Sequence, residues 1–152
     1  WPSWRRTLNN HGYSPLDQIT QDNVGELRMA WVVTMQDGSN QPTPLVHDGV
    51  MFLVNPGNIV QALDAATGDV VYQQALDLGE RAGSNSAYAS ITLAGDKLFI
   101  GAENGTMVVL ETGRTYREIA RNNVEGFRSS PVFEKDRMYL RAFDYLYCFV
   151  RE

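Results

Sequence analysis

The sequence predicts an all-β fold, a β-propeller built from about three four-stranded units. One pattern, two apolar strands around a tight polar turn, occurs three times, and its starting residues Pro44, Ile91 and Pro131 lie 47 and 40 residues apart. A third strand follows in every unit and a fourth in two of them. Repeats of about 40 to 50 residues with four strands each are the signature of propeller blades. A β-sandwich with regular hairpins is the competing reading, but a sandwich has no reason to repeat one sequence pattern.

The N-terminal segment, residues 1–41, comes first. Asp17 and Asp22 flank a predicted short helix, with Thr20 and Asp22 as capping groups near its start. Residues 27–34, Leu-Arg-Met-Ala-Trp-Val-Val-Thr, read as a strand placed where the fourth strand of a preceding blade would lie. The first blade is expected over 42–75. Asp48-Gly49 has hairpin-turn chemistry, because glycine accepts a positive φ. The turn Asn55-Pro56-Gly57-Asn58 follows, then strands over 59–63 and 69–74. The second blade is expected over 88–121, with turns at Gly95-Asp96 and Glu103-Asn104-Gly105 and later strands over 106–110 and 116–121. The third is expected over 128–152, with the weaker turn signal Lys135-Asp136 and a strand over 145–150.

The third unit has three strands, and the N-terminal segment has one unclaimed. The two ends therefore fit as partners in one closing blade, which would also remove a bare sheet edge. Three blades are fewer than the four to eight of ordinary propellers. Loss of internal blades, pairing of two copies to make six, and a stack that stays open are three arrangements the sequence alone leaves standing.

With 152 residues, 43% hydrophobic and 20% charged, the chain has ordinary globular composition and length for one core. Thirteen basic and eighteen acidic residues give a net charge of -5. Arg5-Arg6 is only a pair, and the arginines between 114 and 141 are interspersed with Glu and Asp, so the basic stripe of a nucleic-acid binder is missing. No run approaches 18 apolar residues, so no transmembrane segment is expected. The opening Trp1-Pro2-Ser3-Trp4-Arg5-Arg6 lacks the pattern of a signal peptide. Cys148 stands alone within Leu146-Tyr147-Cys148-Phe149-Val150 and reads as a small buried hydrophobe.

Two stretches of the first half carry a family resemblance. They are Gly12-Tyr13-Ser14-Pro15-Leu16-Asp17-Gln18-Ile19 with Asn23-Val24 and 27–31, and Thr43-Pro44-Leu45-Val46-His47-Asp48-Gly49-Val50-Met51-Phe52. The strongest match is Ala62-Leu63-Asp64-Ala65-Ala66-Thr67-Gly68-Asp69-Val70-Val71-Tyr72. Together, over about residues 1–75, they resemble the N-terminal region of the pyrroloquinoline-quinone (PQQ) dependent quinoprotein alcohol dehydrogenases. The last stretch resembles that family's tryptophan-docking repeat, with Tyr72 where the family usually has Trp. The resemblance gives Ala62, Gly68, Tyr72 and Trp31 structural roles: a small residue on the strand, a turn glycine, and aromatics that staple blades flat against one another. Residues 88–150 resemble the closing blades of quinone-repeat propellers that often lack enzymatic activity. There Glu111-Thr112-Gly113-Arg114 reads as a shortened docking repeat, with Arg117 at the aromatic's position.

In the dehydrogenases, the resemblance implies PQQ stacked between a Trp and a vicinal-cysteine disulfide. It also implies calcium held by Glu, Asn and Asp, and an Asp as base toward the alcohol. One cysteine cannot make the vicinal pair, and the blades that would carry the calcium Asn and the base are missing. The family's cofactor-contacting Glu maps to about Gln41 in Asn40-Gln41-Pro42-Thr43-Pro44. Gln41 is thus the one cofactor-binding candidate, and no catalytic or metal-ligating residue is assigned. His11 and His47 are far apart, with His47 read as a solvated turn residue, and Asn104-Gly105-Thr106 as a hairpin turn rather than a glycosylation acceptor. The expected function is a PQQ-like propeller segment, a scaffold or binding module without a complete catalytic site. The alternatives are a PQQ- and calcium-dependent alcohol dehydrogenase active only with further blades, and a gene fragment with an internal deletion. Self-association to complete a ring is the expected partnership, and the resemblance implies a periplasmic location.

Overall fold

The computed structural model describes residues 15–38, 41–79 and 86–150. Their regular structure is eleven strands in three antiparallel sheets, preceded by one 3-10 turn at Val24–Glu26. The first sheet holds β1 (Leu45–His47), β2 (Val50–Asn55), β3 (Ile59–Asp64) and β4 (Val70–Ala75), in that order. The second repeats the order with β5 (Thr92–Ala94), β6 (Lys97–Gly101), β7 (Thr106–Glu111) and β8 (Glu118–Asn123). The third has β9 (Val132–Glu134), β10 (Arg137–Arg141) and β11 (Leu146–Val150).

The two-residue turns set the first hairpin of each sheet. Asp48 and Gly49 take φ of 47° and 74°, the paired positive values that match the twist of the flanking strands. Lys135, at φ 55°, turns the third hairpin without glycine. His47 is the last residue of β1, paired with Val50, rather than a turn residue, and its Nε2 lies 3.4 Å from Asp48.

The cores lie between the sheets. Leu45, Phe52 and Val60 of the first sheet meet Ile91, Leu98 and Ile100 of the second in one buried cluster. Met107 of the second sheet meets Phe127, Leu140 and Ala142 in another. Middle strands such as β7 are therefore buried along almost their whole length, while β4 and β8 are largely exposed. Blades stacked face to face produce this burial gradient.

Trp31 rests on the turn after β3. Its Nε1 donates to the Ala65 carbonyl at 3.2 Å. A Cβ on Gly68, whose φ is 79°, would sit 2.8 Å from the Trp31 ring. Ala62 is fully buried opposite Tyr72 in the ladder. The Tyr72 ring meets Tyr116 edge-on, with centroids 6.0 Å apart and planes at 75°, instead of packing flat. The sheets are also tied by Arg114, whose Nη1 and Nη2 both donate to Asp64 Oδ2 at 3.1 Å.

Several expectations require correction. The segment 27–34 is extended but belongs to no sheet, and the third sheet stays three-stranded among the described residues. Trp31 anchors the segment to the turn after β3. Residues 17–22 form no helix; Thr20 N donates to Asn23 Oδ1, Asp22 N to Thr20 Oγ1, and the 3-10 turn begins at Val24. Cys148 is exposed, its Sγ 3.8 Å from Arg137 Nη1, because no described residue covers its side of β11. The loop between β7 and β8 is not shortened. Leu63 pairs with Val70, whereas Leu110 pairs with Glu118, one residue further along. Ala120, not Arg117, therefore lies where Tyr72 lies in the first sheet.

Candidate functional site

A hydroxyl-bearing residue stands just before the first strand of each sheet: Thr43, Ser90 and Ser130. They are spaced like the blades, 47 and 40 residues apart. The fold brings them into one row. Thr43 N donates to Ser90 Oγ at 3.0 Å, and Ser130 Oγ donates to the Ser90 carbonyl at 3.0 Å. Sheets one, two and three are thus linked at corresponding ends by a side chain of the same chemistry.

This row borders a cleft of about 600 Å³ lined by Gln41, Tyr88, Ser90, Arg128, Ser129 and Ser130. Arg128 dominates its electrostatics. The guanidinium lies 5.1 Å from the Tyr88 ring centroid and 5.8 Å from that of Phe143, a cation held against two aromatic faces. Its Nε bonds Glu103, whose side chain is nearly buried. Glu103 fixes the arginine from behind, and the ring contacts fix it from the sides. Ser129 Oγ donates to the Arg141 carbonyl at 2.7 Å, which orients the loop after Arg128. Arg141 itself lines a smaller neighbouring cleft of about 220 Å³ together with Arg128.

Gln41, the candidate read from sequence, is exposed at this rim. The structure gathers it with Ser90 and Arg128, which the sequence reading did not assign. The row of hydroxyls carried a readable signal, the blade period itself. The arginine carried none, since Tyr88, Glu103 and Phe143 are scattered over both later blades. Ala62, Gly68, Tyr72 and Trp31 lie away from the cleft, in the contacts described above. His47 does not line it, and His11 lies outside the described residues. Asn104 is buried in its turn, where its Nδ2 donates to the Leu78 carbonyl at 2.8 Å.

The cleft's chemistry suits an anion more than a metal. The Arg128 guanidinium, the Ser90 hydroxyl and the Gln41 carboxamide can donate to carboxylate oxygens, while the hydroxyl protons of Ser129 and Ser130 are committed to the Arg141 and Ser90 carbonyls. Among the described residues, no group of three or more His, Cys, Asp or Glu side chains converges on a point, so they do not fit a calcium site. No carboxylate or imidazole is among the residues lining the cleft, so those residues supply no strong general base. No helix of the described residues is long and apolar enough to cross a membrane.

Comparison with known proteins agrees with the architecture. Residues 1–90 match the family described as glucose/ethanol/alcohol dehydrogenase, β-propeller domain, designated PQQ. The dehydrogenase subunit of the quinone-dependent alcohol dehydrogenase of Gluconacetobacter polyoxogenes is 42% identical over 73 residues, 47% of this chain and 10% of that protein. The corresponding subunit of Gluconobacter oxydans is 30% identical over 116 residues, 73% of this chain and 15% of that protein. Among solved structures, the quinohemoprotein alcohol dehydrogenase of Comamonas testosteroni superposes with a TM-score of 0.67 at 25% identity, over 91% of this chain and 23% of that one. A europium-containing methanol dehydrogenase has the same fold, with a TM-score of 0.71 at 21% identity over 92% of this chain and 27% of that one. The chain spans about a tenth of the length of the first curated relatives it matches.

Proposed function

This chain belongs to the PQQ β-propeller family of the glucose, ethanol and alcohol dehydrogenases, and we propose that it serves as a propeller scaffold and binding segment without a complete catalytic site of its own. One observation carries the reading. Among the described residues, the cleft lining offers Arg128, the Ser90 hydroxyl and Gln41 for holding an anion, but no carboxylate or imidazole to move a proton. Of the family's two cofactors, the quinone suits these residues better than calcium does. Arg128 and Ser90 would hold its carboxylates, with Gln41 donating from the rim. A bound quinone supplies an electrophilic carbonyl that accepts hydride from an alcohol. The chain's own residues position and neutralise; they do not activate the alcohol.

The second reading, an alcohol dehydrogenase completed by further blades, is supported by the 42% identity over 73 residues to a quinone-dependent alcohol dehydrogenase subunit. Reconstitution tests the scaffold reading. With PQQ and calcium added, the purified chain is expected to give no dye-linked ethanol oxidation. Turnover by the chain alone would overturn the scaffold reading. Quenching of protein fluorescence by PQQ, weakened in Arg128→Ala, is the expected binding signature of the cleft. Residues Ala62, Gly68, Tyr72 and Trp31 act in this reading as inter-blade docking contacts. The family resemblance also supports a periplasmic location, to be checked by fractionating source cells.

A further inference from the structure

Two opposed demands meet at Arg128. A carboxylate ligand needs its positive charge, yet the fold places the carboxylate of Glu103 against it. By Coulomb's law alone that neighbour weakens an anion site. The geometry gives Glu103 a different use.

Glu103 lies in the turn between β6 and β7, with its side chain 9% exposed against 59% for Arg128. Its backbone is tied down. Glu103 N donates to the Ser86 carbonyl at 2.9 Å, and Ala102 bridges to Ala87. Tyr88 follows directly, so the carboxylate and the first flanking ring come from one corner of the second sheet. The segment carrying Arg128 is pressed onto that corner. A Cβ on Gly126 would lie 2.5 Å from the Glu103 carbonyl oxygen and 2.8 Å from the Phe143 ring. Phe143 N donates to the Gly126 carbonyl, and Val124 N to the Gly105 carbonyl, each at 3.0 Å. The backbone on both sides of the arginine is therefore fixed before its side chain is placed.

A guanidinium carries five N–H donors in a planar fork. In Arg128 the Nε donor goes to Glu103, and the cation lies against Tyr88 and Phe143. Nη1 and Nη2 bond to no described residue, and Arg128 lines the cleft. With Nε tethered, this terminal pair is the edge left for a ligand. Its two parallel N–H groups match the two oxygens of a carboxylate. A free arginine loses rotamer freedom when it binds, and a tether already in place removes part of that loss.

We propose that Glu103 is the positioning residue of this cleft: it holds Nε so that Nη1 and Nη2 of Arg128 meet a carboxylate of the ligand end-on, and this orientation outweighs the repulsion from its own charge. The proposal rests on the reading of the cleft as an anion site and adds the residue that presents its arginine.

Two conservative variants separate reach from charge. Glu103→Gln keeps the length and an oxygen to accept from Nε, but removes the charge. Glu103→Asp keeps the charge and is one methylene short. PQQ is the probe, titrated by quenching of protein fluorescence, with circular dichroism checking the β structure of each variant. The expected affinity is unchanged or tighter in Glu103→Gln and weaker by about fivefold in Glu103→Asp, the scale of immobilising one long side chain. Unchanged affinity in Glu103→Asp, or a larger loss in Glu103→Gln than in Glu103→Asp, would overturn the proposal. A second readout needs no quinone. The Arg128 Nε–H resonance, assigned by its disappearance in Arg128→Lys, should show the heteronuclear NOE of an ordered group in the unsubstituted chain and in Glu103→Gln, and of a mobile one in Glu103→Asp. A mobile Nε in the unsubstituted chain would also overturn the proposal. Absence of quenching in every form, with the Nε signals as expected, would count against the quinone reading alone and leave Glu103 as the group that orients Arg128.

Discussion

Tyr72 and Tyr116 meet across the seam between the first two sheets, and their chemistry makes that seam sensitive to alkali. Burial first, and the neighbouring Tyr116 second, push the Tyr72 hydroxyl up to about 12. Burial, followed by its bond to Glu118, pushes Tyr116 up to about 12 as well. The folded state thus holds both phenols neutral where an unfolded chain, with the ordinary value of 10.0, begins to ionise. Their contribution is complete below pH 10 and is lost as pH rises toward about 12. Urea denaturation followed across this window should show the midpoint falling. The Tyr72 hydroxyl is buried with no hydrogen-bond partner among the described residues, so Tyr72→Phe should be neutral or slightly stabilising and should flatten the alkaline loss. Steric limits are sharper at Gly101, where a Cβ would overlap the buried Phe127 ring. Gly101→Ala should cost about 1 to 3 kcal/mol by overpacking, measured by the same denaturation. The sequence made the aromatic at 72 legible through its distance from Gly68. It could not reveal Tyr116 as the partner, because the loop between β7 and β8 holds one more residue than its counterpart and moves the register.

At the scale of elements, local chemistry and long-range pairing differ in how far they can be read. Hairpin turns were legible, because Asp48-Gly49 encodes its own geometry within two residues. The segment 27–34 was legible as extended but not as unpaired, since strand propensity describes a residue and pairing needs a neighbour. The links between blades show the same division. Asn104 looked like an ordinary turn residue, yet its Nδ2 donates to the Leu78 carbonyl at 2.8 Å and its Oδ1 accepts from Thr106 N at 3.0 Å. Thr106 Oγ1 donates to the same Leu78 carbonyl at 3.1 Å. The turn is thereby fastened to the connection between the first two sheets, in a buried setting where a lost partner is costly. Asn104→Ala should destabilise by about 1 to 3 kcal/mol, read from the shift in denaturation midpoint. Asn104→Asp keeps the acceptor but loses the donor, so it should recover only part of that loss.

The whole molecule is unevenly consolidated, and that follows from where its apolar surface goes. The cluster between the first and second sheets contains fifteen buried residues, and the one joining the second to the third contains four among the described residues. Face-to-face burial is the main source of stability in stacked sheets, so the third sheet is the least secured. The blade repeat made three units legible from sequence, because the turns recur with the blades. Their unequal packing was not legible, because it depends on which faces find a neighbour. Amide hydrogen exchange should expose the difference. In dilute protein, the amides of β9, β10 and β11 should exchange first and together, by opening of the third sheet as a unit. Those of β2, β3, β6 and β7 should be the slowest, approaching global unfolding. Leu140→Ala, which removes a fully buried side chain from the smaller cluster, should accelerate exchange in the third sheet while changing the first sheet little. Uniform protection across all three sheets would mean that the blades unfold as one cooperative body despite their unequal cores.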